Sequence, residues 1–372
     1  MMNLGIIGYE RGKKLIEIIK KTKLKIKVTA IYDLNPKIEK LAETNPIISV
    51  YNSKEKFFNS RKFESLYIAS PVKFHYEHTM LAIKNNLNIL CEIPAFRTIN
   101  EGKKIKNKLR NGKIIYMMAE NYCYIPKIIA LNKLIRQNKF GEIIFVRSSY
   151  IHDCKKLCFD KYTGELTWRG NERKINNGND YPTHSMGPVH KLLENNKRFK
   201  DNLKCISSYN NRESIFSDFY FNKFPQKFKK KFKRGNYSIS IIETKRKNII
   251  ELICDTTSSR PSSMADMYIQ GTKGTYISGR YDDEKPIVSF VKKNGYTKFK
   301  KFEYLKLLKK KDLDLIAKLG KLFPFYKTIE NFTISVKTKV SPSINFSDAF
   351  VWSSIIELSK KSLIKNSKKI YF

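Results

Sequence analysis

Short apolar runs alternate with longer amphipathic stretches through the first 120 residues of the chain. Runs at 4–8, 26–33, 65–70, 87–91 and 114–118 have the length and the β-branched, aliphatic content of buried strands. Between them, 12–22, 36–43, 75–85 and 100–109 carry the spacing of helices with one apolar face. Strands alternating with helices in this way predict a parallel, doubly wound sheet, with all strand C-termini on one ligand-binding edge.

Beyond residue 120 the pattern changes. A helix over 125–137 leads to a strand over 141–150, followed by a polar segment rich in Gly, Asn and Arg at 153–180. Alternating strands recur at 237–244, 249–255 and 267–270, each bounded by turn residues, which predicts a largely antiparallel sheet. A helical period at 348–363 suits an element that packs back on another. The division this suggests is a first domain at 1–122 and an α+β domain with an open sheet at 123–372. At 372 residues, two domains are also the expectation from size.

Composition narrows the class. No apolar run approaches the roughly 18 residues that span a bilayer, and the N-terminus lacks the charged region, long apolar stretch and cleavage site of a secretory signal. The expectation is a soluble, cytoplasmic chain without membrane association. Its six cysteines include no Cys-x-x-Cys pair, which fits reduced thiols and no metal site. The net charge of +39 raises the question of a polyanion partner. Yet lysine is spread along the whole chain, only 227–234 (Lys-Phe-Lys-Lys-Lys-Phe-Lys-Arg) is dense, and no nucleic-acid-binding motif accompanies it. That run reads as a solvated loop or helix face, and nucleic acid is not an expected partner.

The first strand runs into Gly5-Ile-Ile-Gly8-Tyr-Glu-Arg-Gly12 and then a helix. Glycines at such a junction let a pyrophosphate approach a positive helix end. The spacing departs from the usual Gly-x-Gly-x-x-Gly, with Glu10 in the region of the central glycine, so a plain strand-to-helix turn competes with this reading. Asp33, closing the second strand, tips the balance: an acid there accepts hydrogen bonds from ribose hydroxyls. It also favours NAD over NADP, whose 2′-phosphate it would repel. Ser70-Pro71 with His75, and Cys91-Glu92-Ile93-Pro94, close two further strands on the same edge. The middle of the chain gathers polar aromatics and histidines: Tyr150-Ile-His152-Asp153, Trp168-Arg169 and Asp180-Tyr-Pro-Thr-His184. A histidine beside a tyrosine or carboxylate can relay a proton near neutral pH, while Arg and Trp together suit a sugar's hydroxyls and apolar face.

With these residues in place, the chain resembles the Gfo/Idh/MocA oxidoreductases (glucose-fructose oxidoreductase, inositol dehydrogenase and relatives) over nearly its whole length. The carriers are Gly5-Ile-Ile-Gly8, Asp33, Ser70-Pro71 through His75, Leu90-Cys-Glu-Ile-Pro94, Asn121, the segment 134–144 and Asp348-Ala-Phe-Val-Trp352. Met118-Ala-Glu-Asn-Tyr-Cys-Tyr124, Tyr150-Ile-His-Asp153, Trp168-Arg169, Tyr181-Pro-Thr-His-Ser-Met-Gly-Pro188 and Ser259-Arg-Pro261 are similar to one branch, the NAD-dependent α-N-acetylgalactosaminidases. The resemblance implies an N-terminal Rossmann domain. Gly8, Gly12, Ser70 and Pro71 are expected to line the cofactor from their places at the glycine turn and the strand ends, and the resemblance implies the same of Glu10, Arg11, Asp33, His75, Glu92, Ile93, Asn121 and Tyr181. By the same resemblance Tyr150, Arg169, Tyr181, Pro182, Thr183 and His184 would meet the substrate, while the residues' own chemistry makes His184, Tyr150 and His152 the catalytic candidates.

Three departures bear on function. The family's Glu-Lys-Pro reads Glu92-Ile93-Pro94, so the customary lysine is missing. Gly187 stands where an aspartate is expected three residues after His184, and Ser262 where the branch carries a tyrosine. Three readings follow. The first is an NAD-dependent oxidoreductase acting on a sugar, amino sugar or cyclitol by hydride transfer. The second is a glycosidase that uses the same oxidation transiently and needs no pair of flanking carboxylates. The third is an NAD- and sugar-binding protein without turnover. A homo-oligomer through the open sheet accompanies any of them.

Overall fold

The structure, a computed structural model, describes residues 1–35, 38, 47–227, 232–292 and 295–372. It forms two compact units, Met1–Ile125 with Lys309–Ser353, and Pro126–Leu308 with Ser354–Phe372. The units do not follow a single cut in the sequence.

In the first unit β1 (Met2–Ile7), β2 (Ile26–Tyr32), β3 (Ser49–Tyr51), β4 (Ser65–Ile68), β5 (Asn88–Cys91) and β6 (Tyr116–Met118) form one sheet in the order β3-β2-β1-β4-β5-β6. Every pairing in it is parallel. All residues of β4 and β5 are buried, as a parallel sheet covered on both faces requires. The order reverses direction between β1 and β4, the kind of switch point beside which such sheets bind ligands. The helices α1 (Tyr9–Lys21), α2 (Lys54–Asn59), α3 (His75–Lys84) and α4 (Ile99–Leu109) connect the strands. The first predicted helix thus begins three residues earlier than expected. The fourth is fixed by a capping box between Thr98 and Glu101. The helix expected at 36–43 lies outside the described residues, Ile38 apart.

The C-terminal part of this unit covers its sheet. Within it lie α9 (Lys310–Leu319), α10 (Phe323–Thr338) and the first turns of α11 (Phe346–Ile364). The ring of Phe325 lies 6.0 Å from Tyr67 of β4, and Phe346 meets Tyr116 of β6 edge-on at 4.9 Å. Phe323, Phe332 and Trp352 are at most 1% exposed; burying side chains of this size stabilises by roughly 2–3 kcal/mol each.

The second unit is built on a ten-stranded sheet: β7 (Ile143–Ile151), β8 (Leu203–Asn210), β9 (Tyr237–Thr244), β10 (Ile249–Asp255), β11 (Ser263–Gly271), β12 (Gly274–Ile277), β13 (Ile287–Lys292), β14 (Gly295–Tyr296), β15 (Lys300–Lys301) and β16 (Ile370–Tyr371). Its order is β14-β13-β12-β11-β7-β10-β9-β8-β16, with β15 beside β13. All pairs are antiparallel except β7 with β10, so the expectation of a largely antiparallel sheet holds. Along β9 buried and half-buried positions alternate, which marks one covered and one open face.

The covering elements include α5 (Pro126–Arg136) and α7 (Thr183–Asn195), the latter lying on β7, β10 and β11. Met186, Val189 and Leu192 of α7 are fully buried. The polar segment 153–180 contains α6 (Trp168–Ile175), and α8 (Ile215–Lys223) follows β8. Among the described residues no helix is long and apolar enough to cross a membrane.

Candidate functional site

Because all six strands of the first unit are parallel, the residues that follow β1, β2, β4, β5 and β6 stand on one sheet edge. These are Gly8, Asp33, Ser70, Glu92 and Asn121. At Gly8 the backbone adopts φ +94°, and an added Cβ would lie 2.4 Å from the carbonyl oxygen of Ala69. Only glycine fits both constraints. Gly12, in the first turns of α1, allows the helix to approach β1: a Cβ there would meet Ile6 Cγ2 at 2.7 Å. No side chain caps the N-terminus of α1. The Tyr9 N–H donates to Asp33 Oδ2 at 2.7 Å and Asn35 N–H to Asp33 Oδ1 at 2.9 Å. The Asp33 carboxylate is thereby fixed in place, with lone pairs left for further donors.

A cavity of about 300 Å³ opens at this point, lined by Ile7, Gly8, Tyr32, Asp33, Leu34, Lys54, Ser70, Pro71, Phe74 and His78. Four residues expected from sequence, Gly8, Asp33, Ser70 and Pro71, therefore meet in one cavity. Its apolar walls and single carboxylate fit the adenosine half of a dinucleotide: a flat aromatic base against the walls, a ribose diol at Asp33. Sequence reasoning missed Tyr32, Leu34, Lys54, Phe74 and His78. His78 had a readable signal, standing three residues after His75 on the same helix face. Its Nδ1 lies 2.9 Å from Ser70 Oγ. Burial pushes its pKa down to about 4, so the ring is neutral at physiological pH. Lys54 is ion-paired with Glu77.

The other expected cofactor residues take different places. His75 is 1% exposed; its Nδ1 lies 2.7 Å from Pro94 O and its Nε2 2.8 Å from Ser70 O. A carbonyl oxygen only accepts, so both ring nitrogens donate and the ring is an imidazolium. Burial opposes that charge, but Cys91 and the two carbonyl oxygens outweigh it and raise the pKa to about 9. His75 thus ties the loop after β4 to the loop after β5. Arg11 Nε meets Glu92 Oε1 at 2.8 Å, and the Tyr67 hydroxyl donates to the same oxygen at 2.5 Å. Burial pushes the Glu92 carboxyl up, yet Arg11 and Tyr67 hold it below the usual carboxylate range. Ile93 is buried, Glu10 pairs with Lys13 on the surface, and Asn121 opens a short turn capped by Glu120.

In the second unit, four residues separated in sequence come together. Tyr150 is the last residue but one of β7, Arg169 lies in the first turn of α6, and Tyr181 and His184 flank the start of α7. Ring centroids are 5.0 Å apart for Tyr150 and Tyr181, 5.4 Å for Tyr150 and His184, and 5.2 Å for Tyr181 and His184. The Arg169 guanidinium lies 4.3 Å from the Trp168 ring centroid and 5.8 Å from that of Tyr181. Burial works against its charge, but Tyr181, Cys154 and Tyr150 raise its pKa above the ordinary value. His152 joins the group, with its Nδ1 3.1 Å from the Tyr150 hydroxyl. Pro182 and Thr183 turn inward and are buried, so they shape the turn that presents Tyr181 and His184.

Two supports of this cluster were not legible beforehand. Lys155, 6% exposed, donates to Thr257 O at 2.5 Å and pairs with Asp153 at 2.9 Å, anchoring the segment after β7 to the one after β10. Arg234, the last residue of the basic run, corrects the reading of that run as a solvated face. It is 7% exposed, ion-paired with Asp180, and donates to Cys254 Sγ at 3.3 Å. Lys227 at the other end pairs with Glu165 at the surface; residues 228–231 lie outside the described residues. None of the six cysteines is in a disulfide, and all are buried.

Residues 2–120 match the oxidoreductase family with an NAD-binding Rossmann fold, and residues 124–372 match the C-terminal domain of glycosyl hydrolase 109. A glycosyl hydrolase family 109 protein of Solibacter usitatus (strain Ellin6076) is 25% identical over 391 residues, covering 98% of this chain and 86% of its own. One of Stenotrophomonas maltophilia (strain K279a) is 26% identical over 340 residues, covering 86% and 74%. Among solved structures, levoglucosan dehydrogenase in complex with NADH and levoglucosan superposes with a TM-score of 0.76 at 16% identity, covering 100% of this chain and 99% of the other. For scyllo-inositol dehydrogenase of Lactobacillus casei with NAD(H) and scyllo-inositol the TM-score is 0.72 at 14% identity, with the same coverage. These likenesses show the fold. The two family matches establish that the chain belongs to the glycosyl hydrolase 109 family, with an NAD-binding Rossmann domain of the Gfo/Idh/MocA oxidoreductases, and that it is an NAD-dependent enzyme.

Proposed function

We propose that the chain cleaves an α-linked amino-sugar glycoside, the oxidoreductase step being transient and the net reaction hydrolysis. The observation that carries this is the cluster of Tyr150, Arg169, Tyr181 and His184, held within about one side chain's reach of one another in the domain that matches glycosyl hydrolase 109. NAD, when bound, supplies a hydride acceptor and returns the hydride at the end of the cycle. Gly8, Asp33, Ser70 and Pro71 would hold its adenosine half. His184 takes the proton of the sugar hydroxyl that is oxidised and later gives it back. Tyr150 serves as a second proton carrier, for the C–H that becomes acidic beside the new carbonyl. Arg169 orients sugar oxygens with its fixed fork of donors, and the ring of Tyr181 covers an apolar sugar face. The organisation needs no pair of carboxylates astride the glycosidic bond.

The two other readings share the cofactor and differ in outcome. The purified protein is denatured and its small molecules weighed; NAD is expected to co-purify. Native protein is then given 4-nitrophenyl α-N-acetylgalactosaminide. Release of nitrophenol without accumulation of NADH is the expected result. NADH rising in step with substrate loss would make the net reaction an oxidation, and bound NAD with no turnover of any sugar would leave a binding protein. His184→Ala is expected to abolish turnover while NAD stays bound; unchanged activity removes His184 from the mechanism. We also assign a homo-oligomer through the open face of the sheet, where Ile144 and Ile249 are exposed, to be checked by sedimentation. The unbridged thiols support a reducing, cytoplasmic setting.

A further inference from the structure

His152 lies two residues beyond Tyr150, where β7 has ended and the chain turns. The Tyr150 hydroxyl is 3.1 Å from His152 Nδ1, and Cys154 Sγ approaches the same nitrogen at 3.4 Å. Tyr150 is 6% exposed, whereas His152 is partly open to solvent. The charged and titratable groups facing His152 come from several elements: Arg169 of α6, His184 of α7, its neighbour Asp153, and Asp282 from the loop after β12. Burial, Arg169 and His184 lower its pKa, and Asp153 and Asp282 only partly oppose them. The ring is therefore neutral near pH 7 and has one nitrogen able to accept. Burial raises the Cys154 pKa, so its thiol keeps its hydrogen. In the tautomer whose Nδ1 accepts the Tyr150 phenol proton, the ring's own proton resides on Nε2.

We propose that His152 is a relay residue for Tyr150: Nδ1 takes the phenol proton while Nε2 releases its own to solvent, leaving the Tyr150 oxygen able to take a proton from the bound sugar. The charge balances, since one proton enters the pair from the sugar and one leaves it to water, and the reverse order recharges Tyr150. His152 touches no reacting atom in this scheme and acts through Tyr150. The scheme deepens the proposed function and rests on it for the identity of the sugar.

Two measurements test it, one of them independent of any substrate. Ring-nitrogen NMR of the native protein, with His152 assigned through its backbone resonances among only five histidines, should show Nδ1 bare and Nε2 protonated. Tyr150→Phe should shift that signal. A proton on Nδ1, or a signal indifferent to Tyr150→Phe, overturns the proposal. In the kinetic arm, with 4-nitrophenyl α-N-acetylgalactosaminide as probe, His152→Gln should lower kcat by about tenfold to a hundredfold while KM stays within about twofold. It should also flatten the acidic limb of the kcat profile, and added imidazole should partly restore His152→Ala. Wild-type rate and pH profile in His152→Gln would refute the relay. A wild-type protein that leaves the probe intact counts against the proposed function, while the NMR result still decides the relay.

Discussion

The carboxylate of Asp33 accepts one backbone N–H on each oxygen, from Tyr9 and from Asn35, before any ligand is present. It is therefore oriented in advance, and the ribose diol proposed for this place would bind without first ordering it. A hydrogen bond to a charged group is worth about 1.5–3 kcal/mol, so Asp33→Ala is expected to weaken NAD binding by roughly tenfold to a hundredfold. Titration calorimetry measures this directly; an unchanged affinity would place the ribose elsewhere. Asp33 and Tyr150 were legible from sequence because each stands at the end of a strand that the pattern reveals; Tyr181 and His184 stood out by residue type and by the resemblance, not by the helix they begin. Lys54 and Phe74 were not, since their role depends on which helix face turns towards the cavity. Nor was the burial of Arg234, whose carboxylate partner lies 54 residues away and makes tolerable a charge that a local reading leaves in water.

At the level of elements, the loops after β4 and β5 are joined by one charged ring. His75 has a folded-state pKa of about 9 against an ordinary 6.5. A raised pKa means that the folded state binds the proton more tightly, so this contribution is fully present below pH 6.5. It is lost as pH rises through 9. The gap corresponds to about 3 kcal/mol. Urea midpoints of the native protein should fall across that window, and His75→Gln should remove the slope; a parallel decline in both proteins would show that other groups are responsible. The strands at 237–244 and 249–255 were predicted to the residue: both are runs rich in isoleucine bounded by turn residues, and along the first buried and half-buried positions alternate. Helix α7 was harder to read. It contains Pro188, which alone argues against a helix, and only the burial of Met186, Val189, Leu192 and Leu193 overrides it. The short β3 has three half-buried residues, too few to show a period.

On the scale of the whole molecule, a net charge of +39 sets a repulsion that no single ion pair cancels. Raising salt from about 10 mM to about 300 mM shortens the screening length from roughly 30 Å to below 8 Å. The melting temperature should therefore rise with salt, which scanning calorimetry can follow; a melting point that falls would mean that attraction within ion pairs outweighs the repulsion. The alternation of strands and helices made the parallel sheet legible. The composition of the compact units was not, because nothing in periodicity shows that 309–353 belongs with the N-terminal sheet.

That discontinuity has a temporal meaning. The backbone N–H of Met118 bonds to Ile344 O, and that of Ala95 to the Ser353 hydroxyl. A ribosome that has made only the first 125 residues has released a sheet without its cover. The dinucleotide-binding domain can close only after residue 353 has emerged, some 180 residues of the other unit having been synthesised in between.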